Sequence, residues 1–124
     1  MPPRRILLIE DDPDIQKMVA LALQFTAGAE VETAEDGATG LRLARERRPE
    51  LILLDCMLPD TDGYAVCRAL KEDPATGAIP VIFLSARTQV EEINQGLALG
   101  AAGYLVKPFD PMTLAAEIDR ILGG

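Results

Sequence analysis

Long apolar runs are missing from this sequence of 124 residues. No stretch approaches the roughly eighteen apolar residues that span a bilayer. The N-terminus also lacks the basic, apolar and small-residue segments of a secretory leader. We therefore expect no membrane association and a cytoplasmic location.

Positive charge is scarce as well. Twelve Lys and Arg stand against twenty Asp and Glu, which gives a formal net charge of -8. Binding to nucleic acid without regard to sequence depends on neutralising phosphates with basic side chains, so we expect no direct nucleic-acid contact and instead protein or small-anion partners. The basic residues Arg42, Arg45, Arg47 and Arg48 cluster at a predicted helix end, where cations complement the helix dipole and remain solvated.

Cysteine is limited to Cys56 and Cys67, with no second pair that could complete a metal site. We expect both to be buried and reduced. The chain also has no linker or low-complexity stretch. Its length and its 48% hydrophobic content predict one globular domain covering residues 1–124.

Five short apolar or alternating runs predict strands, and each is followed by apolar residues at helical spacing. The strands are predicted around Ile6–Ile9, Val31 with Thr33, Leu51–Leu54, Val81–Leu84 and Tyr104–Val106. The predicted inward-facing helix residues are Ile15, Met18, Val19, Ala22 and Phe25; Leu41 and Ala44; Val66, Ala69 and Leu70; Val90, Ile93 and Leu97; and Leu114, Ile118, Ile121 and Leu122. Pro111 is predicted to open the last helix.

This alternation predicts a doubly wound α/β fold, in which a five-stranded parallel sheet is flanked by five helices. The first, third and fourth strands are apolar throughout, as expected of central parallel strands. The second strand alternates with Glu30 and Glu32, which predicts an exposed edge.

Polar residues follow the predicted strands, and in open α/β sheets functional groups gather beyond the carboxyl ends of the strands. These residues are Glu10-Asp11-Asp12 after the first strand, Asp55 after the third, Ser85 after the fourth and Lys107 after the fifth. Carboxylates that converge raise one another's pKa unless a cation lies between them, and Mg²⁺ prefers oxygen ligands.

The residue types therefore predict a magnesium-assisted phosphoryl-transfer site. Asp12 and Asp55 are candidate direct ligands, and Asp11 could hold a metal-bound water. Asp55 is the candidate nucleophile, since carboxylates form acyl phosphates. Lys107 and Ser85 are candidates to bind the phosphoryl oxygens.

Each of these residues also has an ordinary structural explanation. Asp12 before Pro13 is typical of a helix N-cap with proline at the first helical position. Asp55 could start a turn, Lys107 could be a solvated strand terminus, and Tyr104 could be a half-buried aromatic. Their joint occurrence at successive strand ends favours the functional interpretation.

The sequence resembles the receiver domains of two-component response regulators along essentially its whole length. The segments that carry the resemblance are ILLIEDD at 6–12, LDCMLPDTDG at 54–63, LSA at 84–86 and GAAGYLVKPF at 100–109. The best-known stand-alone member of this family is the chemotaxis response regulator. The resemblance implies a flavodoxin-like sheet with strand order 2-1-3-4-5.

The resemblance also implies roles for individual residues. Asp55 would be the phosphoacceptor, Asp11 and Asp12 would hold Mg²⁺ or Mn²⁺, and the backbone carbonyl of Met57 would be a further ligand. Ser85 and Lys107 would contact the phosphoryl group. The peptide bond between Lys107 and Pro108 would be cis.

As a member of this family the chain would be a signalling switch and not an enzyme with a separate substrate, although it would catalyse its own phosphorylation and dephosphorylation. The donor would be a histidine kinase or phosphotransfer protein. Coupled movement of Ser85 and Tyr104 would change the surface of helix 4, strand 5 and helix 5, which a protein effector or attached output domain would recognise. We expect a monomer or weak dimer.

Two residues depart from the chemotaxis member. Met57 and Arg87 stand where that protein has an amide and an acid, and by the resemblance both positions would flank the path of the hydrolytic water. We therefore expect these residues to set the lifetime of the phosphorylated state.

Three alternatives remain open at this point. A hydrolase of the haloacid dehalogenase type would need a second Asp where Met57 stands. A dinucleotide-binding domain would need a glycine-rich turn where the sequence has Glu10-Asp11-Asp12. A receiver fold that signals without phosphorylation would not need Asp55 and Lys107 together.

Overall fold

The computed structural model describes residues 3–86 and 93–123. Within these ranges, strands and helices alternate strictly. The strands are β1 (Arg5–Ile9), β2 (Glu30–Ala34), β3 (Leu51–Asp55), β4 (Val81–Ala86) and β5 (Gly103–Lys107). The helices are α1 (Pro13–Ala27), α2 (Gly37–Arg47), α3 (Gly63–Glu72), α4 (Ile93–Ala98) and α5 (Leu114–Ile121).

The strands form one parallel sheet in the order β2-β1-β3-β4-β5. This confirms the predicted fold and strand order, including the edge position of β2. Both cysteines are buried and free, as expected.

Alternation along the strands divides the core into two layers, because successive side chains point to opposite faces of a sheet. One layer contains Leu8, Leu53 and Leu84 together with side chains from α1 and α5. The other contains Ile9 and Phe83 together with side chains from α2 and α3. Both faces of the sheet are therefore covered, as the apolar character of the central strands requires.

Side chains near the strand ends set where the helices begin. Asp12 is the N-cap of α1 and Pro13 its first residue, while Asp36 and Asp62 cap α2 and α3. Each carboxylate accepts a backbone N–H that has no partner within the helix. The described helices include none that is long and apolar enough to cross a membrane.

Three local predictions, for Phe25, Pro111 and Leu97, were wrong. Phe25 was expected to face the core but is 80% exposed. The buried side of α1 is formed by Val19, Ala22 and Leu23, and Phe25 lies to one side of this face. Pro111 was expected to open the last helix, but α5 begins at Leu114, after a turn in which the N–H of Thr113 donates to the carbonyl of Asp110.

The expectations for Val90 and Ile93 lie outside what the structure describes. Val90 lies outside the described residues, and the side chain of Ile93 is likewise not described. Leu97 lies within the described residues, and the prediction that it faces inward was wrong, because it is 41% exposed.

Candidate functional site

The carboxyl ends of three strands bring several of the predicted functional residues together. Glu10 and Asp11 follow β1, Asp55 ends β3, and Lys107 ends β5. Lys107 reaches across the end of β4, since β5 pairs with β4 and β4 pairs with β3. Lys107 is thereby in direct contact with Glu10, a residue 97 positions before it in the sequence.

Lys107 links two carboxylates. Its Nζ donates to Glu10 Oε1 at 2.7 Å and to Asp55 Oδ2 at 3.2 Å. Burial by itself would lower the pKa of Lys107, but the hydrogen bonds and charges of Glu10 and Asp55 outweigh it and raise this pKa above its ordinary value. The side chain of Lys107 is therefore a fixed positive charge beside Asp55.

Glu10 is the more deeply buried of the two acids, with only 1% of its surface exposed. Burial and the adjacent Asp55 carboxylate raise the pKa of Glu10, and the hydrogen bond from Lys107 only partly opposes this. The ionised form of Glu10 is therefore unfavourable in this buried position beside Asp55, even with Lys107 bound to it.

The acidic residues present fit a hard divalent cation. Glu10, Asp11 and Asp55 each offer a carboxylate oxygen, and these oxygens lie within 4.8 Å of one another. Asp11 is exposed while the other two are buried, so the group is open to solvent on one side. Oxygen ligands with access to water are what Mg²⁺ and Mn²⁺ prefer.

The structure gives Asp12 a different position from the one we expected for a direct metal ligand. Its carboxylate is exposed and accepts the N–H of Asp14 at 2.8 Å, which caps α1. Glu10, to which sequence reasoning gave no role, joins Asp11 and Asp55 instead. Glu10 could have been found from its place directly after the apolar strand, since that is where a side chain turns from the core toward the sheet edge.

The expected switch residues lie on neighbouring strands. Ser85 is fully buried, and its hydroxyl donates to the carbonyl of Ala86 at 3.1 Å. Tyr104 on β5 is 37% exposed. The arrangement therefore combines a buried hydroxyl near the site with an aromatic ring at the surface.

Met57 directly borders the site. Its N–H donates to Asp55 Oδ1 at 3.4 Å, and its side chain is 66% exposed. Arg87, predicted together with Met57 to set the signal lifetime, lies outside the described residues. The peptide bond between Lys107 and Pro108 is cis, as the resemblance implied.

Glycine at position 63 lets the loop after β3 fold back onto Asp55. A Cβ at Gly63 would lie 2.2 Å from the carbonyl oxygen of Asp55, and the N–H of Gly63 donates to the carbonyl of Cys56 at 2.7 Å. A larger residue would displace the backbone that carries Asp55.

Comparison with known proteins gives one consistent result. Residues 6–119 match the family model of the response regulator receiver domain. The chain is 44% identical to the DNA-binding dual master transcriptional regulator RpaA of Synechocystis, over 95% of this chain and 48% of that protein. It is 40% identical to the phosphate regulon transcriptional regulatory protein PhoB of Pseudomonas aeruginosa, over 96% of this chain and 52% of that protein.

Solved structures agree with these sequence matches. The chemotaxis response regulator CheY4 of Vibrio cholerae superposes with a TM-score of 0.88 at 36% identity, covering 95% of this chain and 98% of that one. A putative response regulator from Chloroflexus aurantiacus gives a TM-score of 0.89 at 32% identity, covering 98% and 99%. The chain thus spans about half the length of the curated relatives above and nearly all of these two structures.

Proposed function

This chain belongs to the response regulator receiver domain family, and on that premise we propose that Asp55 is its phosphoacceptor, which takes a phosphoryl group from a histidine kinase or a phosphotransfer protein. The observation that carries the proposal is the contact between the Lys107 ammonium and the Asp55 carboxylate at the end of β3. Family membership removes the hydrolase and dinucleotide-binding alternatives. Experiment must separate a phosphorylated receiver from one that signals without phosphorylation.

In the proposed reaction a carboxylate oxygen of Asp55 attacks phosphorus. The new bond between oxygen and phosphorus forms while the bond from phosphorus to the donor breaks, and the electron pair of that bond leaves with the donor group. Lys107 supports this step because its ammonium, already bonded to Asp55 Oδ2, can donate to phosphoryl oxygens that arrive beside Asp55. The buried Ser85 hydroxyl is the second proposed contact to the phosphoryl group.

For the metal we propose Glu10, Asp11 and Asp55, with the backbone carbonyl of Met57 as a further ligand. Glu10 replaces Asp12 in this assignment because its carboxylate lies with the other two, whereas Asp12 caps α1. When bound, Mg²⁺ or Mn²⁺ offsets the negative charge of these carboxylates and of the incoming phosphoryl group.

The output of the switch is proposed to be the surface formed by α4, β5 and α5, which changes as Ser85 and Tyr104 move. The curated relatives are named as DNA-binding or transcriptional regulators and are about twice as long as this chain. The net charge of -8 disfavours DNA contact by this domain itself. We therefore propose that it controls nucleic-acid binding indirectly, through an effector or an attached output domain.

The deciding experiment is incubation with acetyl phosphate and Mg²⁺, followed by intact-mass measurement. We expect the added mass of one phosphoryl group on the parent protein and none on Asp55→Asn, because an amide cannot attack phosphorus. Circular dichroism of the variant should match the parent. Undiminished labelling of Asp55→Asn would rule out Asp55 as the acceptor, and absence of labelling in the parent would favour signalling without phosphorylation.

A further inference from the structure

Asp60 lies in the loop between β3 and α3, but its carboxylate is bound to a different element. Oδ1 accepts the N–H of Gly37 at 2.8 Å, and Oδ2 accepts the N–H of Ala38 at 3.1 Å. These two amides begin α2 and have no partners within the helix. Asp60 therefore caps a helix that starts more than twenty residues before it in the sequence.

The capping of α2 is shared between two acids with different connections. Asp36, the residue before the helix, accepts the N–H of Thr39 at 2.7 Å. Asp36 is thus a local cap, whereas Asp60 joins α2 to the loop that follows β3. Asp36 and Asp60 therefore both cap the start of α2, but only Asp60 connects it to the loop, so Asp36 can serve as the control for Asp60.

The close approach of α2 to this loop depends on Gly37. A Cβ at that position would lie 2.6 Å from Thr61 Cγ2 and 3.4 Å from Asp60 Oδ1. Two independent features, the hydrogen bonds of Asp60 and the absence of a side chain at Gly37, therefore bring the loop against α2.

The same loop forms one side of the phosphoacceptor site. The N–H of Met57 donates to Asp55 Oδ1 at 3.4 Å, and the N–H of Leu58 donates to the carbonyl of Thr61 at 3.0 Å. The turn closed by Leu58 and Thr61 contains Asp60. Only a few backbone bonds therefore separate Asp60, which is attached to α2, from the Met57 peptide.

We propose that Asp60 is a positioning residue that holds the Met57 peptide beside Asp55 by anchoring the loop after β3 to the N-terminus of α2. The inference rests on the proposed function only in treating Asp55 as the acceptor. Asp60 contacts neither Asp55 nor the other carboxylates of the site, so its effect passes through the backbone of residues 57–60. The backbone carbonyl of Met57 is a proposed metal ligand. Removal of a residue that orients a metal ligand commonly lowers metal affinity or activity by about tenfold or more.

The first test uses metal-free protein and follows amide hydrogen exchange by NMR. In Asp60→Ala we expect the Met57 and Leu58 amides to exchange faster than in the parent, because the loop that carries them loses its attachment to α2. Asp36→Ala, which removes the local cap of the same helix, should leave both amides at the parent rate. Equal exchange at Met57 in the parent and in Asp60→Ala would overturn the proposal.

The second test measures Mg²⁺ affinity by calorimetry and the rate of phosphorylation by acetyl phosphate. Asp60→Ala should lower both by about tenfold, and Asp60→Asn, which keeps one acceptor oxygen, should recover part of the loss. Asp36→Ala should match the parent in both. If the two alanine variants weaken Mg²⁺ binding equally, Asp60 acts only through the stability of α2 and the proposal is wrong.

The two tests also separate this inference from the proposed function. A parent protein that is not phosphorylated refutes the proposed function, while exchange at Met57 still decides whether Asp60 positions the loop. A parent that is phosphorylated normally, with Met57 exchange unaffected by Asp60→Ala, leaves the function intact and refutes the positioning role.

Discussion

At the scale of single residues, the charge balance around Lys107 is the main feature of the site. One ammonium contacts two buried carboxylates, and the exposed carboxylate of Asp11 lies close to both of them. One positive charge cannot neutralise three acids. Burial strengthens the repulsion that remains, so the site favours a further cation, which would also offset the charge of the phosphoryl group proposed to bind there.

Two single residues, Met57 and Arg87, are predicted to set the lifetime of the phosphorylated state. Met57 is 66% exposed beside Asp55, and its thioether is only a weak hydrogen-bond acceptor that orients water poorly. By the resemblance Arg87 would lie beside the site, and because it has donors only it would pair with phosphoryl oxygens there. We expect the phosphorylated protein to lose its phosphoryl group more slowly than the variant that carries both Met57→Asn and Arg87→Glu.

The measurement is loss of the phosphoryl group over time by intact mass after removal of acetyl phosphate. Each single variant should lie between the parent and the double variant. If the double variant decays no faster than the parent, these two side chains do not set the lifetime.

At the scale of the elements, the ends of α2 offer two independent predictions. Arg48, which follows the helix, has φ of 45°, a left-handed conformation that costs a non-glycine residue roughly 1–2 kcal/mol. Glycine adopts it freely but loses more entropy on folding. We expect Arg48→Gly to raise the free energy of unfolding by roughly 0.5–1 kcal/mol in urea denaturation.

Arg47→Gly is the matched control, because Arg47 is the last residue of α2 and has ordinary helical geometry. This variant should lower the free energy of unfolding by up to about 1 kcal/mol, the usual cost of glycine within a helix. Destabilisation of the same size by both glycine variants would contradict the interpretation of Arg48 as strained.

The other end of α2 predicts a dependence of stability on pH. Hydrogen bonds from the backbone N–H groups of Gly37 and Ala38 lower the pKa of Asp60. A lowered pKa in the folded state means that the ionised carboxylate stabilises the fold above its unfolded pKa, about 4. That stabilisation is lost as the pH falls through the lower folded pKa.

Asp60→Asn cannot ionise and lacks this contribution at every pH. We therefore expect the difference in Tm between the parent and Asp60→Asn to be largest near neutral pH and to shrink below about pH 4. Thermal denaturation followed by circular dichroism across this range gives the difference directly. A difference that does not change with pH would show that charge on Asp60 does not stabilise α2.

At the scale of the whole molecule, the site joins the carboxyl ends of β1, β3 and β5, so a cation bound there should stabilise the entire fold. Binding to the folded state alone adds about 1.4 kcal/mol to the free energy of unfolding at ten times the dissociation constant. We expect Mg²⁺ to raise the Tm of the parent protein. Glu10→Gln should respond much less, because it loses one of the three carboxylates that lie together.

Asp12→Asn is the control for this prediction, since asparagine also caps helices well and should leave α1 intact. This variant should respond to Mg²⁺ as the parent does. A response that is lost in Asp12→Asn and kept in Glu10→Gln would restore Asp12 as the ligand and refute the assignment of Glu10.

The sequence by itself determined the order of the elements and the edge of the sheet where function gathers. Apolar strands and helical spacing are local patterns, and parallel strands must present their carboxyl ends at one edge. Asp55 and Lys107 could therefore be predicted as neighbours, and so could the cap formed by Asp12 with Pro13. These features depend on periodicity and on chain direction, both of which can be read from the sequence.

Only the tertiary structure decided which of several similar residues takes each place. It grouped Glu10, and not Asp12, with Asp11 and Asp55, and it left Phe25 exposed. It also brought Asp60 onto α2, a contact that no local pattern indicates. The physical reason is that packing of the layers in three dimensions sets the direction of a side chain at a strand end and the contacts between distant segments. The spacing of residues along one element does not specify that packing.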